Sequence, residues 1–165
     1  MRGARTDSSD FLRSWLPVFL WASVIFFFST DIFSSANTAG ALGPILQQIF
    51  PQLTPDHIDR IHAVIRKLGH FTEYFIFGWL LWRALRSHDA MPSRRLALSI
   101  VITLLYAASD EWHQSFVPSR TSSMIDVLID TIGSICGISF ARLRSVSSRS
   151  PVTKDARLSS GSKKT

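Results

Sequence analysis

Seventeen consecutive residues, Ser14 to Thr30, carry no charge and are rich in Trp, Phe, Leu and Val. At about 1.5 Å rise per residue a helix over this stretch reaches roughly 26 Å, close to the hydrocarbon thickness of a bilayer. Such a segment can span a membrane because a helix satisfies every backbone donor and acceptor internally. The rival reading is a cleaved signal peptide, since Arg2, Arg5 and Arg13 precede the run and Ala39, Gly40 and Ala41 form a small-residue triplet. The run exceeds a usual signal-peptide core and the triplet sits about ten residues beyond its end, so a retained span is the expectation.

Three further apolar stretches are shorter: nine residues at Tyr74 to Trp82, fourteen at Leu96 to Ser109 and eleven at Thr131 to Ala141. They reach spanning length only by taking in His70 and Glu73, Asp110, or Asp126 and Asp130 respectively. A charge at the centre of a membrane helix costs roughly 2.5 to 3.5 kcal/mol on insertion scales, so these groups must face the bundle interior, pair, or do chemistry. The pattern predicts an all-α integral membrane protein: a four-transmembrane-helix bundle with spans at about 14–31, 68–86, 95–113 and 124–143. Composition agrees, with 46% hydrophobic and only 18% charged residues, the latter below the globular norm of about 25%.

Charge placement sets the expected orientation. Of 18 Lys and Arg, three precede the first span, four lie between the second and third (Arg83, Arg86, Arg94, Arg95) and seven follow the fourth, so 3 + 4 + 7 = 14 share one side. Both termini are therefore expected to be cytoplasmic. The net charge of +6 is then mainly a topology signal with some affinity for anionic headgroups; dispersed over three flanks without a motif, it does not suit nucleic acid. Residues 1–10 form a short cytoplasmic segment, and 11–144 the membrane domain. The outer connection from Asp31 to Arg66 is expected to hold an amphipathic helix at Ala41 to Phe50. A second helix starts there near Thr54 and Pro55 and runs on as the second span. The Ser-, Lys- and Arg-rich tail, 145–165, lacks the apolar residues to fold and is expected to be disordered. Cys136 is the only cysteine and sits in an apolar run, so no intrachain disulfide forms.

The ionisable residues fall into register on these helices. Lys67, His70, Glu73 and Tyr74 stand at i, i+3, i+6 and i+7, lining one face at the outer mouth of the second span. Asp110, His113 and Gln114 share a face at the outer end of the third, with Glu111 about a third of a turn aside. Asp126, Asp130 and Ser134 make a stripe descending the fourth, and Arg120 lies on the short connection before it as the natural counter-charge. Each has a plainer use as well. Lys67 suits a snorkelling interfacial residue, Asp126 the N-terminal dipole of a helix, and Gly133 with Gly137 close helix packing.

The series Lys67, His70, Phe71, Glu73, Tyr74, followed by Asp110, Glu111, Gln114, Phe116, Arg120, Asp126, Asp130 and Gly133, resembles the VanZ family of bacterial membrane proteins. That family is named for a member linked to glycopeptide (teicoplanin) resistance, and the likeness covers roughly Phe11 to Leu143. The resemblance implies a multi-pass protein of the bacterial plasma membrane with its motif residues grouped together, and no settled reaction. Three functions follow as expectations. One is a hydrolase or transferase acting at the outer leaflet on a lipid-linked or anionic envelope substrate. In it Glu73, Asp110, His70, His113 and Asp130 supply acid–base groups, while Lys67, Arg120, Gln114, Glu111 and Asp126 hold the substrate. The second is capture of an envelope component or glycopeptide without turnover, and the third proton-coupled transport. No metal is assigned, because no ligand spacing is diagnostic, although the carboxylate and histidine set could hold a divalent ion. The cofactor and the oligomeric state stay open.

Overall fold

The computed structural model describes residues 8–30, 35–86, 91–118 and 122–147, with backbone alone at 8, 35–39, 41, 146 and 147. Among these residues there are five helices and no strand: α1 (Ser8–Phe28), α2 (Ser35–Ile49), α3 (Pro55–Arg86), α4 (Pro92–Gln114) and α5 (Met124–Ser147). Their ends follow local chemistry. Pro55 and Pro92 open α3 and α4, where a missing N–H loses nothing. Asp10, Asp56 and Asp126 sit in first turns and Arg83, Arg86 and Arg144 in last turns, each favoured by the helix dipole. As the sequence predicts, α3 begins beside Thr54 and continues without a break, 32 residues and roughly 48 Å long. Three elements differ in extent from the sequence reading. The first helix starts at Ser8, before the expected span; α2, expected at Ala41 to Phe50, covers Ser35–Ile49; and α5 runs through Ser147, past Arg144, while the rest of the expected tail, 148–165, lies outside the described residues.

Helix directions follow from paired contacts. Gly133 and Gly137 of α5 meet Phe71 and Phe75 of α3 in the same order, so α3 and α5 run parallel. Against them, Arg95 of α4 lies over Trp82 while Tyr106 reaches Tyr74 and Phe77, so α4 is antiparallel to α3. Ala22 of α1 meets Tyr106, and Ser29, just past the end of α1, meets Asp110, so α1 runs with α4. The α3–α5 pair is the closest. A methyl group on Gly137 would strike the carbonyl oxygen of Phe75, and one on Gly78 would strike Ser134, so these backbones touch with no side chain between them.

The bundle interior combines an apolar core with polar stripes, while large apolar side chains cover the exterior. The apolar core draws Val18 and Ile25 from α1, Tyr74, Phe77, Leu81 and Ala84 from α3, and Ala107 from α4. Yet the buried stripe of α4 is Ser99, Thr103, Ala107, Asp110 and Gln114, and α5 buries Asp126, Asp130 and Ser134. Facing away are Leu98, Val101, Leu104 and Leu105 on α4 and Ile125, Leu128, Ile132 and Ile135 on α5. Small and polar residues between helices with apolar residues outside is the distribution hydrocarbon favours. Among the described residues, two helices are long and apolar enough to cross a membrane, over Ser9–Phe28 and Met124–Ser145. Only 11% of the first span's apolar window is buried, so it is no core helix of a soluble protein.

Candidate functional site

Asp130 anchors the polar site. Its side chain is fully buried on the inward face of α5, one turn beyond Asp126, and its Oδ1 lies 3.2 Å from His70 Nδ1 on α3. The close α3–α5 crossing at Gly133 brings the two together. With Nδ1–H donating to the carboxylate, the Nε2 of His70 keeps its lone pair. Asp126, one turn nearer the start of α5, is held by two cations from α3: Arg66 at 2.9 Å and Lys67 at 3.0 Å. Lys67 is 45% exposed and Arg66 23%, so the pair forms a rim between the buried carboxylate and the surroundings.

The end of α4 closes the cluster. Asp110 accepts from Ser29, just past α1, through Oδ1 and from Gln114 Nε2, at 3.0 Å, through Oδ2. Glu111 turns inward as well and its Oε2 accepts the backbone N–H of Ser123 at 2.7 Å, tying α4 to the entry of α5. Its other oxygen, Oε1, and Oδ2 of Asp130 have no hydrogen-bond partner among the described residues, nor has the hydroxyl of fully buried Tyr74. Buried carboxylate oxygens are seldom left unsatisfied without a reason. Glu73 is half-buried, its backbone carbonyl accepting Trp21 Nε1 at 2.8 Å, and its carboxylate is an electrostatic neighbour of His70, Tyr74 and Tyr106. One atom each of His70, Glu111 and Asp126 lie within 4.8 Å of one another, a spacing able to hold a divalent ion with modest adjustment.

Not every residue stands where its spacing suggests. His70, Asp110, Glu111, Gln114, Asp126 and Asp130 are brought together, and Lys67 reaches the rim. His113 is not in the cluster: its half-buried ring packs against Phe26 at 4.8 Å between centroids. The α4 helix turns Asp110, Glu111 and Gln114 inward, which leaves Trp112 and His113 on the outer side. Arg120 lies outside the described residues. Three members were not anticipated, namely Ser29, Ser123 and Arg66. Ser29 and Ser123 are polar residues at helix ends, a weak signal, and Arg66 was visible only as a neighbour of Lys67.

Fold and site together define an all-helical bundle with two candidate membrane spans and a buried carboxylate–histidine cluster at one end. A family model described as VanZ/LLP1 matches residues 14–145, which includes every residue of that cluster, and the chain belongs to this family. No curated protein and no solved structure matches it.

Proposed function

We propose that this chain crosses the bacterial plasma membrane four times, through α1, α3, α4 and α5, and works at the outer leaflet as a hydrolase or transferase on a lipid-linked or anionic envelope substrate. The alternating directions of the four helices, with Arg83, Arg86, Arg94, Arg95, Arg142 and Arg144 at one end and the acidic cluster at the other, support this orientation. The observation that carries the chemistry is the buried His70–Asp130 pair, beside an unpartnered carboxylate oxygen on Glu111 and on Asp130 itself. Asp130 fixes the imidazole with Nδ1–H inward, so Nε2 accepts a proton from an attacking water or hydroxyl as the new bond to carbon or phosphorus forms. The same proton then passes to the departing oxygen as its bond breaks. Arg66 and Lys67 at the rim meet the substrate's negative charge.

The test uses the full chain reconstituted in bilayers and supplied with anionic and polyisoprenyl-phosphate lipids, products being read by mass spectrometry. His70→Gln and Asp130→Asn are expected to reduce turnover by about 100-fold or more, the usual yield of acid–base catalysis. Undiminished turnover in both variants refutes catalysis by the pair. A second reading, capture of an envelope component or glycopeptide, is favoured by the two cations converging on Asp126. Stoichiometric binding that depends on Arg66 and Lys67, without turnover, establishes it instead.

A further inference from the structure

At the other end of the bundle, thirteen residues and roughly 20 Å along α3 from His70, a separate cleft of about 260 Å³ opens between α3 and α5. Trp79, Trp82, Arg83 and Arg86 line it from α3, and Arg144 and Ser145 from α5. Three features set it apart from a merely basic surface. Arg83, Arg86 and Arg144 form no ion pair with any carboxylate among the described residues, so three guanidinium groups share one cavity without compensation. Trp82 is 95% buried, yet its indole Nε1 has no hydrogen-bond partner among the described residues. The indole is also fixed in place, with the guanidinium groups of Arg95 and Arg142 at 4.8 and 5.5 Å from its ring.

The helix dipole and the rule that basic residues stay inside account for arginines at this end, but not for a buried N–H donor left unsatisfied beside them. An oxyanion satisfies both at once: guanidinium forks bind phosphate oxygens bidentately, and an indole N–H can only donate. The volume also discriminates. It falls just short of the roughly 300 Å³ at which pockets for drug-sized solutes begin, and suits a small polar group with its remainder outside. Basic pockets between membrane helices bind lipid headgroups by the same physics.

We infer that this cleft is a phosphate-binding site, which seats the headgroup phosphate of an anionic phospholipid in the leaflet facing the arginine-rich end of the bundle. The lipid tails lie along the exposed apolar faces outside, including Phe140 and Leu143 of α5. It is independent of the reaction proposed for the His70 cluster.

The full-length protein in mild detergent is mixed with equal amounts of phosphatidylglycerol and phosphatidylcholine, and retained lipid is counted by native mass spectrometry. Phosphatidylglycerol is expected in about tenfold excess, because the ammonium of phosphatidylcholine, which carries the same phosphate, is repelled by the guanidinium groups around the cleft. Arg83→Gln with Arg144→Gln is expected to erase that excess, and Trp82→Phe, which keeps the ring and loses the N–H, to lower it about three- to tenfold. Inorganic phosphate titrated at constant ionic strength separates the sources: no competition assigns the site to lipid, while competition or a change in tryptophan emission with phosphate alone assigns it to phosphate from solution as well. Equal retention of the two lipids with no response to phosphate overturns the inference. So does a preference that survives the arginine variant, or one that Trp82→Phe leaves unchanged.

Discussion

Replacing Gly133 with alanine places a methyl group where α5 rests on the backbone of α3. The added Cβ falls 2.5 Å from the carbonyl oxygen of Phe71 and 3.2 Å from its carbonyl carbon and Cα, whereas ordinary contact begins at 3.4 Å. A backbone carbonyl inside a helix cannot swing aside, so the two helices must part by about 3.4 − 2.5 = 0.9 Å. His70 adjoins Phe71, and Asp130 precedes Gly133 by one turn. Adding that displacement to the 3.2 Å His70–Asp130 contact gives about 4.1 Å, beyond hydrogen-bond range. Overpacking costs about 1 to 3 kcal/mol and a buried charge-assisted hydrogen bond about 1.5 to 3. Both arise from one movement, so the expected loss is about 2 to 5 kcal/mol. Equilibrium unfolding of the full chain in mixed detergent micelles, followed by far-ultraviolet circular dichroism, measures it. Gly69→Ala is the matched control, because a Cβ there meets nothing within 4 Å, and its change should stay within about 1 kcal/mol. Equal stability of the two variants refutes the backbone contact between α3 and α5, and with it the mechanism that aligns His70 with Asp130.

Two further outcomes follow from the cluster. Arg66→Met should destabilise by about 1 to 3 kcal/mol, whereas Lys67→Met should cost less than about 1 kcal/mol, because the lysine is nearly half exposed and its pairing is screened. Double-mutant cycles with Asp126→Asn test this, and equal coupling for both cations contradicts it. Glu111→Gln should weaken the 2.7 Å bond from Ser123 N–H by about 1 to 2 kcal/mol and speed amide exchange at the start of α5. Unchanged exchange there means the carboxylate does not hold that entry.

The helices themselves were legible in the chain because each is announced by local chemistry. The charge-free run from Ser14 to Thr30 could only be helix in an apolar setting, and Pro55 and Pro92 stand where α3 and α4 begin. The inward stripe of α5 was equally plain, since Asp126, Asp130 and Ser134 recur at four-residue intervals. Helical periodicity was less decisive on α4. Spacing alone ranks His113 with Asp110 and Gln114, yet a rotation of a few tens of degrees exchanges His113 for Glu111, and packing against α1 and α5 sets that rotation.

Chain order and residue type by themselves determined an all-helical protein of the VanZ/LLP1 family, with apolar segments that carry acids at one end and arginines at the other. That much is local, because hydrophobic runs, turn residues and charge placement act within a few residues of one another. Only the tertiary structure decided that His70 belongs to Asp130, that Arg66 joins Lys67 on Asp126, and that Trp82, whose N–H has no partner among the described residues, lines a basic cleft. These pairings join residues about sixty positions apart or span two helices. They depend on how closely α3 and α5 approach, which the glycines at 78, 133 and 137 permit and no local pattern specifies.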